Sequence, residues 1–172
     1  LGDSAGIERT SDCDYGSALL TSEAIAARFT SLIHLGEGVG EAARNEFRCA
    51  SSNGYDKTPL PSGGGISQDI LLSNVTVVHG TAFDEAMLAS LARRNVDIVW
   101  SPRSNLFLYG DTLNVRAAIA AGISVALGTD WLPTGSMTMG REAACADAYA
   151  RASGKALPPR LLWSMMTKNA AH

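Results

Sequence analysis

From Ser31 onward, short apolar runs rich in β-branched residues alternate with longer runs whose apolar positions recur at helical spacing. That alternation predicts βα units on a parallel sheet. Four strands are expected, over Leu32–Leu35, Val75–His79, Asp97–Trp100 and Ser124–Leu127. Each is nearly apolar throughout, as a strand covered on both faces should be. Helices are expected over "GEAARNEF", "FDEAMLASLARRN" and "TLNVRAAIAAG" between the strands, and over "GREAACADAYARASG" and "PPRLLWSMM" after the last. Asp84 and Glu85 load the first turn of the second of these and Arg93 and Arg94 its last, as the helix dipole favours, while Pro158 and Pro159 suit a helix start. The first 30 residues are the least legible, with a residual strand expected at "GIERTS" and a helix over "SEAIAARF". "NGYDKTPLPSGGG" reads as a long loop.

Composition narrows the function classes. The 14 basic and 17 acidic residues give a net charge of −3 and are scattered, so no footprint for nucleic acid or anionic lipid is present. No apolar run reaches the ~20 residues of a membrane span, and the start lacks a signal-peptide layout. Cys13, Cys49 and Cys145 form neither a CxxC nor an even set, which fits reduced thiols in a cytoplasmic protein. The chain opens on Leu1 rather than Met and stops at "TKNAAH" within a helical pattern, so both ends are expected to be cut.

The polar residues fall where the strands end: His34 with Glu37, His79 before Gly80, Ser101 to Asn105, and Thr129 with Asp130. In parallel α/β folds the carboxyl ends of the strands share one face, so these groups should converge. Two imidazoles and a carboxylate at such a rim suit a divalent metal such as zinc, and a bound metal lowers the pKa of its water to ~7. Glu37 beside that water could take a proton and pass it to a leaving amine. The plainer readings are core histidines and a glutamate that caps the following helix. "GDSAG", Gly2 to Gly6, matches the G-x-S-x-G nucleophile elbow of serine esterases, but no strand precedes Ser4 and "IERTSDCDYG" is a poor helix. "SGGG", Ser62 to Gly65, lacks the Lys and Ser/Thr of a P-loop and reads as a hinge or lid.

Four ordered motifs, "IHLGEG", "VVHGTAF", "WSPRSNLFLYGDT" and "VALGTDWLPTGS", resemble the amidohydrolase superfamily in its cytosine deaminase and atrazine chlorohydrolase branch. The resemblance implies an α/β fold of the (β/α)8 TIM-barrel type, represented here by its C-terminal half, strands 5 to 8 with flanking helices. Residues 1–30 would then be a lead-in, and 31–172 the βα units of one partial barrel domain. It implies His34 and Asp130 as metal ligands, Glu37, His79 and Asp130 as catalytic groups, and Asn105 as a substrate contact. The ion would be zinc, with iron the other candidate, and the reaction hydrolysis of a C–N or similar bond in a small, heterocyclic substrate. The family's His-x-His motif is missing: His34, His79 and His172 are the only histidines. A half-barrel leaves open parallel edges, so pairing with a second copy or with a missing N-terminal half is expected. The alternative is a half-barrel remnant or assembly domain that binds no metal.

Overall fold

The structure is a computed structural model that describes residues 6–16, 20–60, 65–154 and 156–171. Four parallel strands lie side by side in chain order: β1 Ser31–Leu35, β2 Val75–His79, β3 Asp97–Trp100 and β4 Val125–Leu127. Leu35 pairs with His79 and Trp100 with Leu127, so the carboxyl ends of the strands finish at one rim. The helices are α1 Ser22–Ala26, α2 Glu41–Ala50, α3 Glu85–Arg93, α4 Pro102–Tyr109, α5 Val115–Ala120, α6 Met139–Ala152 and α7 Pro159–Met166. Asp84 caps α3, accepting from the Met87 N–H at 2.8 Å, with Arg93 in the last turn as expected.

Period-two alternation decides which side of the sheet is core. Ile33, Leu35, Val77, Ile98 and Trp100 are buried against the helices. Leu32 and His34 point the other way, and Leu32 is 64% exposed. The expectation of strands covered on both faces is therefore corrected for β1, whose second face is open among the described residues. A groove of about 440 Å³ runs along that open side, lined by Phe29, Leu32, Thr76, Val99 and Ala126 among others.

Three further readings change. "GIERTS" forms no strand. "WSPRSNLFLYG", read for its strand-end chemistry, holds the helix α4, which starts with Pro102 in its first turn and stops at Gly110, left-handed at φ 69°. Finally, Cys13 and Cys49 are joined in a disulfide with Cα atoms 5.6 Å apart, leaving Cys145 as the free thiol. Their separation of 36 residues hid the pairing, because only the folded chain returns the lead-in segment onto α2. Cysteine usage thus no longer supports a reducing compartment. No helix among the described residues is long and apolar enough to cross a membrane.

Candidate active site

Two glycines bring the tips of β1 and β2 together. Gly36 and Gly80 sit at φ 65° and 63°, and the Phe83 ring lies against both. A Cβ on Gly80 would come within 2.7 Å of the ring, so only glycine satisfies both the left-handed backbone and the close approach. The Gly80 N–H donates to Leu35 O and the Ala82 N–H to Gly36 O, both at 3.1 Å. This clasp holds Glu37 and His79 against each other.

Glu37, His79 and Asp130 each offer a ligand atom within 4.8 Å of the others'. His79 Nε2 lies 3.4 Å from Glu37 Oε2, and Tyr109 donates its hydroxyl to Glu37 Oε1 at 3.0 Å. The Asp130 Oδ1 accepts from the Trp131 N–H at 2.8 Å. His34 lies on the open face beside them, its ring centroid 5.1 Å from that of His79. His79 and Asp130 both hold positive φ, 78° and 56°, although neither is glycine. Such conformations cost on the order of 1–3 kcal/mol and persist where surrounding structure enforces them, often at functional sites. For Asp130 the following turn does so: the Ser136 N–H donates to Thr129 O, and a Cβ on Gly135 would overlap that carbonyl.

Burial holds the His79 imidazole below its ordinary 6.5, against the opposing pull of Glu37 and Asp130, and the His34 ring adds to the lowering. The Tyr109 hydroxyl is pushed up to about 12, first by burial and then by the Glu37 carboxylate it bonds. Because the folded value of His79 lies below the unfolded one, the unfolded chain takes up the proton first as pH falls. The His79 contribution is thus neutral above the unfolded value and destabilises the metal-free fold as pH drops below 6.5. Urea unfolding from about pH 8 to pH 5 should show a smaller acid loss in His79→Gln than in the natural chain.

The remaining expected residues are placed as follows. Glu37 caps no helix: the N-cap of α2 is Gly40. Asn105, expected to touch substrate, is 0% exposed and lies behind His79, with its amide engaged by His79 Nδ1 and Thr112 Oγ1. Direct substrate contact would require it to leave that position. Ser4 of "GDSAG" and Ser62 of "SGGG" lie outside the described residues. Tyr109, Thr112 and Trp100 were not singled out in the sequence; the only trace of Tyr109 is its place just before the Gly110 helix stop. The lead-in also acquires a role in the site, since Ile7, Glu8 and Tyr15 line a cleft of about 550 Å³ with His34, Glu37 and Glu46.

In donor chemistry the site fits a divalent ion. Imidazole nitrogen and carboxylate oxygen are the usual zinc donors besides thiolate, and Glu37, His79 and Asp130 bring them together at one rim with His34 beside them.

No family model matches the chain. Among curated proteins it is 32% identical over 98 residues to a 5-methylthioadenosine/S-adenosylhomocysteine deaminase of Thermococcus sibiricus, covering 57% of this chain and 21% of that one. It is 36% identical over 93 residues to an aminodeoxyfutalosine deaminase of Deinococcus radiodurans, covering 54% and 22%. Both matches span about a fifth of the relative's length. Among solved structures, the zinc complex of atrazine chlorohydrolase from Arthrobacter aurescens superposes with a TM-score of 0.64 at 17% identity, over 91% of this chain and 36% of that one. The Escherichia coli guanine deaminase gives 0.62 at 19% identity, over 80% and 31%. The structural likeness defines the class: a parallel α/β fold shared with part of these hydrolases. With the curated relatives, it makes the chain similar to part of the proteins of the amidohydrolase superfamily.

Proposed function

We propose that residues 31–172 form the C-terminal half of a (β/α)8 barrel, with β1 to β4 as barrel strands 5 to 8. In this reading they carry the metal-dependent hydrolysis of a C–N bond in a small heterocyclic substrate. The observation that carries the proposal is the convergence of Glu37, His79 and Asp130 within 4.8 Å at the strand tips, with His34 beside them. The deaminase names of the curated relatives support the bond type, and the zinc in a structural neighbour supports the ion.

In this reading His34 and Asp130 hold the metal, whose chemistry would be to lower the pKa of a bound water to about 7. Asp130 orients that water. Glu37 accepts a proton on its carboxylate and returns it to the leaving amine, while the Tyr109 hydroxyl keeps the carboxylate aimed. His79 donates a hydrogen bond into the site. The open face of the sheet is where a second copy or a complementary half-barrel packs, covering Leu32.

Three measurements on the purified chain test the proposal. Calorimetric titration with zinc should show binding that Asp130→Ala abolishes. With zinc present, ammonia release from an aminopurine nucleoside such as 5-methylthioadenosine should appear, in the chain alone or on adding a complementary half-barrel. Sedimentation should show an associated species rather than a monomer. A monomer that binds no zinc would favour the metal-free remnant instead.

A further inference from the structure

Behind the site runs a line of buried polar groups whose polarity is set at its far end. The Trp100 indole N–H is a donor only. It reaches Thr112 Oγ1 at 2.7 Å, and the two residues are 0% and 4% exposed. The hydroxyl, having accepted there, retains one proton, and Asn105 Oδ1 stands 3.2 Å away to receive it. That bond orients the Asn105 amide, turning its Nδ2 toward His79 Nδ1 at 3.1 Å. An amide nitrogen donates, so Nδ1 accepts, and the proton of a neutral ring sits on Nε2, facing Glu37 Oε2.

We infer that Trp100, Thr112 and Asn105 form a one-way donor relay that locks His79 in its Nε2–H tautomer, with the N–H presented to Glu37. All three are positioning residues, since none touches the open cleft. The reverse arrangement is disfavoured by the same inventory. An inverted Asn105 amide would aim Nδ2 at Thr112 Oγ1 and leave the hydroxyl proton without an acceptor in a buried place. His79 therefore offers the site a proton donor, and coordination of a metal through its Nε2 would require the relay to be broken. That consequence rests on the proposed function; the tautomer does not.

The test needs neither metal nor substrate. In the metal-free chain labelled with 15N-histidine, long-range proton–nitrogen correlation should show His79 with Nδ1 bare and Nε2 protonated, the signal being assigned by its loss in His79→Gln. Asn105→Asp places an acceptor opposite Nδ1 and should invert the pattern to Nδ1–H. Thr112→Val should release the amide and produce a second, Nδ1–H population, whereas Thr112→Ser, which keeps the hydroxyl, should restore the single tautomer. An Nδ1–H ring in the natural chain overturns the inference outright, and needs no variant to fold. A single Nε2–H tautomer that persists in Thr112→Val overturns the assignment of Thr112 and Trp100. If the tautomer is found and zinc binding and hydrolysis are not, the relay stands and the proposed function falls.

Discussion

Replacing Glu37 with glutamine should lower turnover by about 10²- to 10⁴-fold, the range a positioned general acid–base group contributes. The substitution is nearly isosteric. The glutamine oxygen can still accept the Tyr109 hydroxyl, but its NH2 group then faces the His79 Nε2–H donor, so the fold should lose about 1–3 kcal/mol, the cost of leaving a buried donor unpaired. What is lost is basicity: an amide cannot take a proton from water and hand it to a leaving amine. The site offers no ready substitute, since Asp130 is engaged by the Trp131 N–H and is the candidate metal ligand, and His79 faces Glu37 as a hydrogen-bond donor. The measurement is ammonia release in the zinc-supplemented protein, with zinc affinity and unfolding midpoint as controls. Turnover unchanged by the substitution would remove Glu37 from the chemistry and leave it a structural partner of Tyr109.

The second large effect is on the fold. Gly80→Ala should destabilise the protein by about 2–5 kcal/mol, the sum of two costs. One is the left-handed backbone at φ 63°, roughly 1–2 kcal/mol for a residue with a Cβ. The other is overpacking against Phe83, whose ring atoms would stand 2.7 and 2.8 Å from the new methyl group, typically about 1–3 kcal/mol. Gly110→Ala separates the two. It has a similar φ of 69° but nothing within 4 Å of its Cβ position, so it should show the backbone cost alone. Chemical unfolding of the pair checks this, and equal losses would show that Phe83 yields freely. Gly80 also follows His79 directly, so the variant should disturb the His79 to Glu37 contact as well as the stability.

Much of the site's membership was legible because strand ends can be read from local pattern. A run such as "VTVVH" is apolar, β-branched and stopped by glycine, and the matching β2 bounds follow from those features alone. Parallel pairing then sends every strand end to one rim, so His34, Glu37, His79 and Asp130 could be grouped although 96 positions separate the first from the last. The helix α4 escaped because its amphipathic signal is weak and its first residues were read for their chemistry. Its markers were the proline at the start and the glycine at the end.

By itself, then, the sequence determined the βα alternation, the four strands and the identity of the groups at their tips, since these depend on residue type and local period. Tertiary structure alone decided the roles that depend on separation in space. It set the Asn105 amide behind His79, brought Tyr109 onto Glu37 across 72 positions, and folded the lead-in back so that Cys13 meets Cys49. Hydrogen bonds and disulfides act over about 2–4 Å, and no periodicity in a chain reports which distant residues will come that close.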